Sequence, residues 1–255
     1  MPIHDHVGEP RRFRVGQATR FDRESCDPAS QASRIIEEGS RLWCALTNSG
    51  DSGFSSYQPE LVERALTIVE RMIATSTGSA AAIATRVVEV LNADFAAQTN
   101  AMTDDERDVA GGPHGNLLLA AIEDNARLFV TWVGSGEIRV LRGGKVIART
   151  RAHSMISELI ARHELREDEA AHFGNSDVCI RTLMGEPTVA GHAGPFALAR
   201  GDVVALFDGI RIPFDASPTS VGLLTRAAPP SERALDLVRL AMGNRAAAVV
   251  IDIDA

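Results

Sequence analysis

The spacing of apolar residues changes several times along the chain, and each change marks an element. FRVGQAT (13–19) alternates in the manner of a strand. RFDRESCDPASQASRIIEEGS (20–40) is polar, with Asp, Pro and Ser as turn formers, and is expected to be a loop. SRLWCALT (40–47) is an apolar run of strand length that ends in the Gly/Asn/Ser loop NSGDSGFSS (48–56). The period then becomes helical. Pro59 suits a first helical turn, and Leu61, Ala65, Leu66, Val69, Met72 and Ile73 recur on one face. A second helix is expected over 79–98, followed by a long polar loop to Asn116.

From Leu117 the pattern is strand-like again. LLLAAIED, ARLFVTWVG and EIRVLRGGKVIART read as a four-strand meander, turning at Glu123-Asp124-Asn125 and Arg142-Gly143-Gly144. Helices follow at 154–163 and 166–172, and VCIRTLM (178–184) is a strand candidate. FALARGDVVALFDG (196–209) reads as a hairpin turning at Arg200-Gly201-Asp202. Helices at 218–225 and 231–242 and a buried strand, AAAVVIDI (246–253), complete the pattern. Antiparallel strands with helices inserted in groups predict an α+β fold, with two packed sheets covered by helices.

Composition narrows the function. The chain has 34 acidic and 26 basic side chains in 255 residues, a formal net charge of −8. That balance argues against nucleic acid and anionic lipid as partners, since both need a basic footprint. Lysine occurs once, as Lys145, so lysine-based covalent chemistry has one possible position. No apolar run approaches the roughly 20 residues that span a bilayer. The N-terminus has no signal-peptide core, and Cys26, Cys44 and Cys179 lack metal-ligand spacing, so reduced thiols and a cytoplasmic protein are expected. Phosphate-binding loops, dinucleotide fingerprints and nucleophile elbows are all missing. The seven histidines are scattered, and His153, His163 and His172 are expected in surface or capping roles.

Four stretches in order are more specific. LFVTWVGSGEIRVLRGGKVIARTRAHS (128–154) resembles the signature of the metal-dependent PPM-type, or type 2C, serine/threonine phosphatases: strand, Gly-Asp-Ser-Arg, strand, Gly turn, strand, Thr, then Asp-His-Ser. ARGDVVALFDG (199–209) resembles their Pro-Gly-Asp hairpin ending in Asp-Gly. LWCALTNSGDSG (42–53) is similar to their first Asp-Gly strand and loop, and GNRAAAVVIDI (243–253) to their last strand. Gly115-Asn116-Leu117 sits where the family has Gly-Thr-Thr or Gly-Ser-Thr. The resemblance covers nearly the whole chain. It implies a four-layer α-β-β-α sandwich with two central, mostly antiparallel sheets, formed by one domain over 13–255 after a loose segment 1–12.

The family's chemistry uses two Mg²⁺ or Mn²⁺ ions held by carboxylates, with a metal-bridged water attacking phosphorus and an Arg holding the phosphate. Carried over one residue at a time, the ligands change. The bridging Asp-Gly falls on Asn48-Ser49, the Asp of Gly-Asp-Ser-Arg on Ser135, the Asp before His-Ser on Ala152, and the Asp-Asn before the last strand on Arg245-Ala246. Asp208-Gly209 keeps the family pair. Arg23 is the phosphate-binding candidate. A guanidinium stays charged in a protein and repels cations, so Arg245 is expected to stand in for a metal and pair with Asp208. The plain alternatives are a solvated Arg245 after a helix capped by Asn244, and a turn role for Asp208.

The resemblance therefore implies a degenerate phosphatase-like protein, a pseudophosphatase without cofactor. It would bind a phosphoprotein, a kinase or another regulatory partner in bacterial signalling. The alternative is a weak metal-dependent phosphatase in which Asp27, Asp51 and Asp208 hold one loosely bound Mg²⁺ or Mn²⁺. A third reading is a structural subunit whose surface, not its cleft, makes the complex.

Overall fold

The computed structural model describes residues 13–20, 26–27, 32–49, 59–105, 115–123, 126–170, 178–183, 190–209, 218–240 and 246–254. Strands β1 (Phe13–Arg20), β2 (Cys26–Asp27), β3 (Ser33–Glu38) and β4 (Arg41–Ser49) come first. Helices α1 (Pro59–Thr75) and α2 (Ala80–Ala101) follow. Next are β5 (Gly115–Ile122), β6 (Arg127–Val133), β7 (Glu137–Arg142), β8 (Lys145–Arg149), α3 (Met155–Ala161) and α4 (Glu167–Ala170). The remaining elements are β9 (Gly191–Ala197), β10 (Val203–Asp208), α5 (Pro218–Thr225), α6 (Pro230–Arg239) and β11 (Ala246–Ile253).

One sheet has six strands in the order β2-β1-β11-β10-β7-β8, and the other has five in the order β3-β4-β5-β6-β9. Every strand pairing within them is antiparallel. The sheets face each other, with β4 against β10 and β11. Helices α1 and α2 cover the five-stranded sheet, and α6 covers β1 and β11. These are the four layers the sequence implies.

Strands covered on both faces need apolar residues throughout rather than in alternation. Every residue of β5, β10 and β11 is accordingly buried. Alternation persists inside that burial. Val204 and Leu206 belong to the core shared with the five-stranded sheet, while Val203, Ala205 and Phe207 join the core under α6. Asp208 has the parity of Val204 and Leu206, which turns it toward the opposite sheet.

Helix α1 buries the expected stripe of Leu61, Ala65, Leu66, Val69 and Ile73. Helix α2 starts at Ser79, whose hydroxyl accepts the Ala82 N–H at 3.2 Å. Gly16 explains how α6 lies so close to β1: a Cβ there would be 1.9 Å from the Ser231 nitrogen.

Four expectations change. The polar stretch 20–40 contains β2 and β3, and β3 carries charge because it is an edge strand with one neighbour. The meander divides after β6: β5 and β6 lie in one sheet, β7 and β8 in the other. Residues 196–209 are likewise no paired hairpin, because β9 pairs with β6 while β10 pairs with β7 and β11. Both turns carry the chain from one sheet to the other, which alternation within a strand does not disclose. The described part of VCIRTLM, 178–183, makes isolated bridges, at Cys179 with Ser154 and at Leu183 with Gly115.

Candidate functional site

The chain crosses between the sheets at Gly134-Ser135-Gly136, and this crossing meets the start of β5 and the end of β10. Asn116, Ser135 and Asp208 converge there. The Asn116 amide donates from Nδ2 to the Ser135 Oγ at 2.9 Å and to Asp208 Oδ2 at 3.2 Å. The Ser135 hydroxyl donates to Asp208 Oδ1 at 3.2 Å. The three side chains form a closed ring in which each Asp208 oxygen accepts one hydrogen. Asp208 is 2% exposed and Asn116 8%.

Glycine is required beside the ring. Gly134 has φ +102°, and a Cβ on it would stand 1.9 Å from Asn116 Oδ1. Its backbone also grips His153: the His153 N–H donates to the Gly134 carbonyl at 2.8 Å, and the Gly134 N–H to His153 Nδ1 at 3.4 Å. His153 is half-buried, not a surface or capping residue. Its burial, and next the charge of Arg181, push the imidazole down to about 4 against an upward pull from Glu158. The His153 carbonyl in turn accepts from the Ile180 N–H at 2.8 Å and from the Cys179 thiol at 3.3 Å. Burial pushes that thiol up to about 11; its hydrogen bond to the Arg181 backbone pulls it down and the Asp208 charge adds to the rise.

Of the residues expected at the site, Ser135 and Asp208 meet directly. Gly209 follows Asp208 with φ +70°. Asn48 and Ser49 are described by backbone pairing alone, opposite Asn116 and Gly115. Asp27 is described likewise: the register aligns Asp27, Thr19, Ala247 and Asp208 in one cross-strand row. Three interstrand spacings, about 14 Å, separate its ends. Arg23, Asp51 and Arg245 lie outside the described residues, and so does the expected Arg245–Asp208 pair.

Sequence reasoning missed Asn116 and His153 as parts of this cluster. Asn116 did stand inside a motif position, but an amide gains its role only from what the opposite sheet brings to it. His153 stood inside the Asp-His-Ser position.

Divalent cations of this kind take six or more oxygen ligands, including charged carboxylates. Among the described residues no three His, Cys, Asp or Glu side chains stand where they could hold a metal ion together. The single described carboxylate is closed by an amide N–H and a hydroxyl. The described residues therefore do not fit a two-metal centre.

The solved structures that share this fold include several that are distant in sequence. The serine/threonine phosphatase of S. agalactiae is 16% identical, with a TM-score of 0.74 over 95% of this chain and 100% of its own. The Mycobacterium tuberculosis phosphatase PstP/Ppp is 19% identical, with a TM-score of 0.71 over 95% and 99%. The PPM Ser-Thr phosphatase MsPP from Mycobacterium smegmatis, solved with cacodylate, is 16% identical, with a TM-score of 0.68 over 95% and 98%. The PstP catalytic domain has also been solved in complex with 2 manganese ions. No protein-family model matches the chain, and no curated protein matches it. At these identities the likeness is one of fold.

Proposed function

We propose that this chain, whose fold is that of the PPM-type serine/threonine phosphatases, works as a pseudophosphatase: a phosphatase-like protein that binds a phosphoprotein, a kinase or another regulatory partner. The observation that carries this reading is the closed ring at Asp208. A hydrolytic metal centre depends on carboxylates free to bind cations and on a metal-activated water. At this site the one described carboxylate is already engaged by neutral donors, and Ser135 stands where the family resemblance has an aspartate. The proposal extends to one type 2C-like domain over 13–255 and to a reducing, cytoplasmic setting, which suits the free thiols of Cys44 and Cys179.

Titration with Mn²⁺ by calorimetry, paired with p-nitrophenyl phosphate turnover, tests it. The expected result is neither tight binding nor turnover. Mn²⁺-dependent turnover that Asp208→Ala abolishes would establish instead the weak phosphatase using Asp27, Asp51 and Asp208. Asp208 itself, retained at the end of an apolar strand, is what favours that second reading.

A further inference from the structure

We infer that the Asn116–Ser135–Asp208 ring is an inter-sheet tie, and that Asp208 stabilises the fold instead of costing it stability. Acids gathered for metal chemistry repel one another until the ion arrives, so removing one commonly raises the stability of the metal-free protein. The arrangement here has the opposite sign. Asp208 closes β10 of the six-stranded sheet and Asn116 opens β5 of the five-stranded sheet. Their hydrogen bond crosses the interface directly, and Ser135, on the strap joining β6 to β7, bonds to both.

Most of that interface is apolar, with Leu46, Leu118, Val204, Leu206 and Val249 among its residues, and toward its β1–β3 side the Ser33 hydroxyl also donates across it to Gln17 Oε1 at 2.9 Å. Apolar contacts hold sheets together without fixing where one lies on the other. A directional network does fix it, provided every member is satisfied. In this ring both Asp208 oxygens accept, the Asn116 amide nitrogen donates to both of its partners, and the Ser135 hydroxyl donates and accepts. Gly134 leaves the space in which the amide lies. Thr47 adds a support behind it, its hydroxyl donating to the Asn116 main-chain carbonyl at 2.6 Å. The inference rests on the proposed metal-free reading in one respect: the same carboxylate cannot be both tie and cation ligand.

Thermal unfolding of the whole chain in EDTA tests it, with Asp208→Ala, Asn116→Ala and the double variant. Each single change orphans a buried polar partner, so each should lower Tm by about 4–8 °C in a protein of this size. The double variant should lose less than the sum, because the second change removes a group already orphaned. Asp208→Asn keeps the shape and one acceptor, and should fall between wild type and Asp208→Ala even if the alanine variants do not fold. An unchanged or higher Tm for Asp208→Asn overturns the tie. So does a wild-type Tm that rises in 1 mM Mn²⁺ by an amount Asp208→Asn loses. The p-nitrophenyl phosphate assay reads the proposed function separately, so failure of one is distinguishable from failure of the other.

Discussion

His153 stacks on Trp132, with ring centroids 6.0 Å apart and planes inclined by 28°. The indole is fixed on its other sides, Nε1 donating to the Arg151 carbonyl at 2.7 Å and Gly191 lying flat against the ring. This pair joins the surface segment 178–183 to the crossing that carries Ser135.

Because His153 is held down to about 4, its neutral form belongs to the folded state. An unfolded histidine takes its proton near 6.5. Between those values the unfolded chain binds a proton that the folded chain refuses, so stability rises with pH across this window. The contribution is fully present above about pH 6.5 and is lost as pH falls toward 4. Urea unfolding at pH 7 and pH 4.5 should show that loss, and His153→Gln should flatten it. An identical pH slope in the variant would place the effect elsewhere.

Gly134→Ala should be among the most damaging glycine substitutions. The added carbon meets the Asn116 amide at 1.9 Å, on a backbone already at φ +102°. Strain of about 1–3 kcal/mol adds to the loss of the Asn116 contacts. Gly143→Ala, at φ +56° with nothing within 4 Å, isolates the backbone part and should cost about 1 kcal/mol. Chemical denaturation of the two variants gives the comparison.

Arg142 and Asp202 form a two-pronged ion pair, with Nε and Nη2 donating to the carboxylate at 2.8 and 2.7 Å. The Asp202 side chain is 0% exposed and that of Arg142 48%. Removing the cation strands a buried charge, whereas removing the charge frees an arginine that water can solvate. Arg142→Ala should therefore be the more destabilising of the two changes. Asp202→Asn retains an acceptor for the Ala199 N–H, which now donates at 2.8 Å, and should cost about 1 kcal/mol. Equal losses in urea melts would reject this asymmetry.

Thiol labelling probes the site from another direction. Burial drives Cys44 up to about 12, so it should resist iodoacetamide until the protein unfolds. Cys179, at about 11, should react slowly at pH 8. Removing the nearby charge with Asp208→Asn should speed that labelling, as read by peptide mass spectrometry. A rate that Asp208→Asn leaves unchanged would count against their electrostatic contact.

Particular residues show what was legible beforehand. The stripe of Leu61, Ala65, Leu66, Val69 and Ile73 announced α1 because helical burial repeats on the scale of the pattern itself. Asp208 was legible because the resembling motif gave it a position; by itself an acid after an apolar strand reads as a turn residue. β3 was not, because Arg34, Glu37 and Glu38 suit an edge strand and a loop equally well. The sheet change between β6 and β7 was hidden too, since Gly134-Ser135-Gly136 reads like any tight turn.

The amino-acid pattern alone thus determined the α+β class, helices α1 and α2 and the apolar strands, because burial periodicity is a local property. The motif resemblance singled out Asp208. What surrounds that acid was decided only by tertiary structure. Asn116 and Asp208 are 92 residues apart in the chain. They become partners because two sheets stack and a glycine strap passes between them. The meaning of a polar residue is set by the donors and acceptors that the fold brings to it, and those come from distant segments.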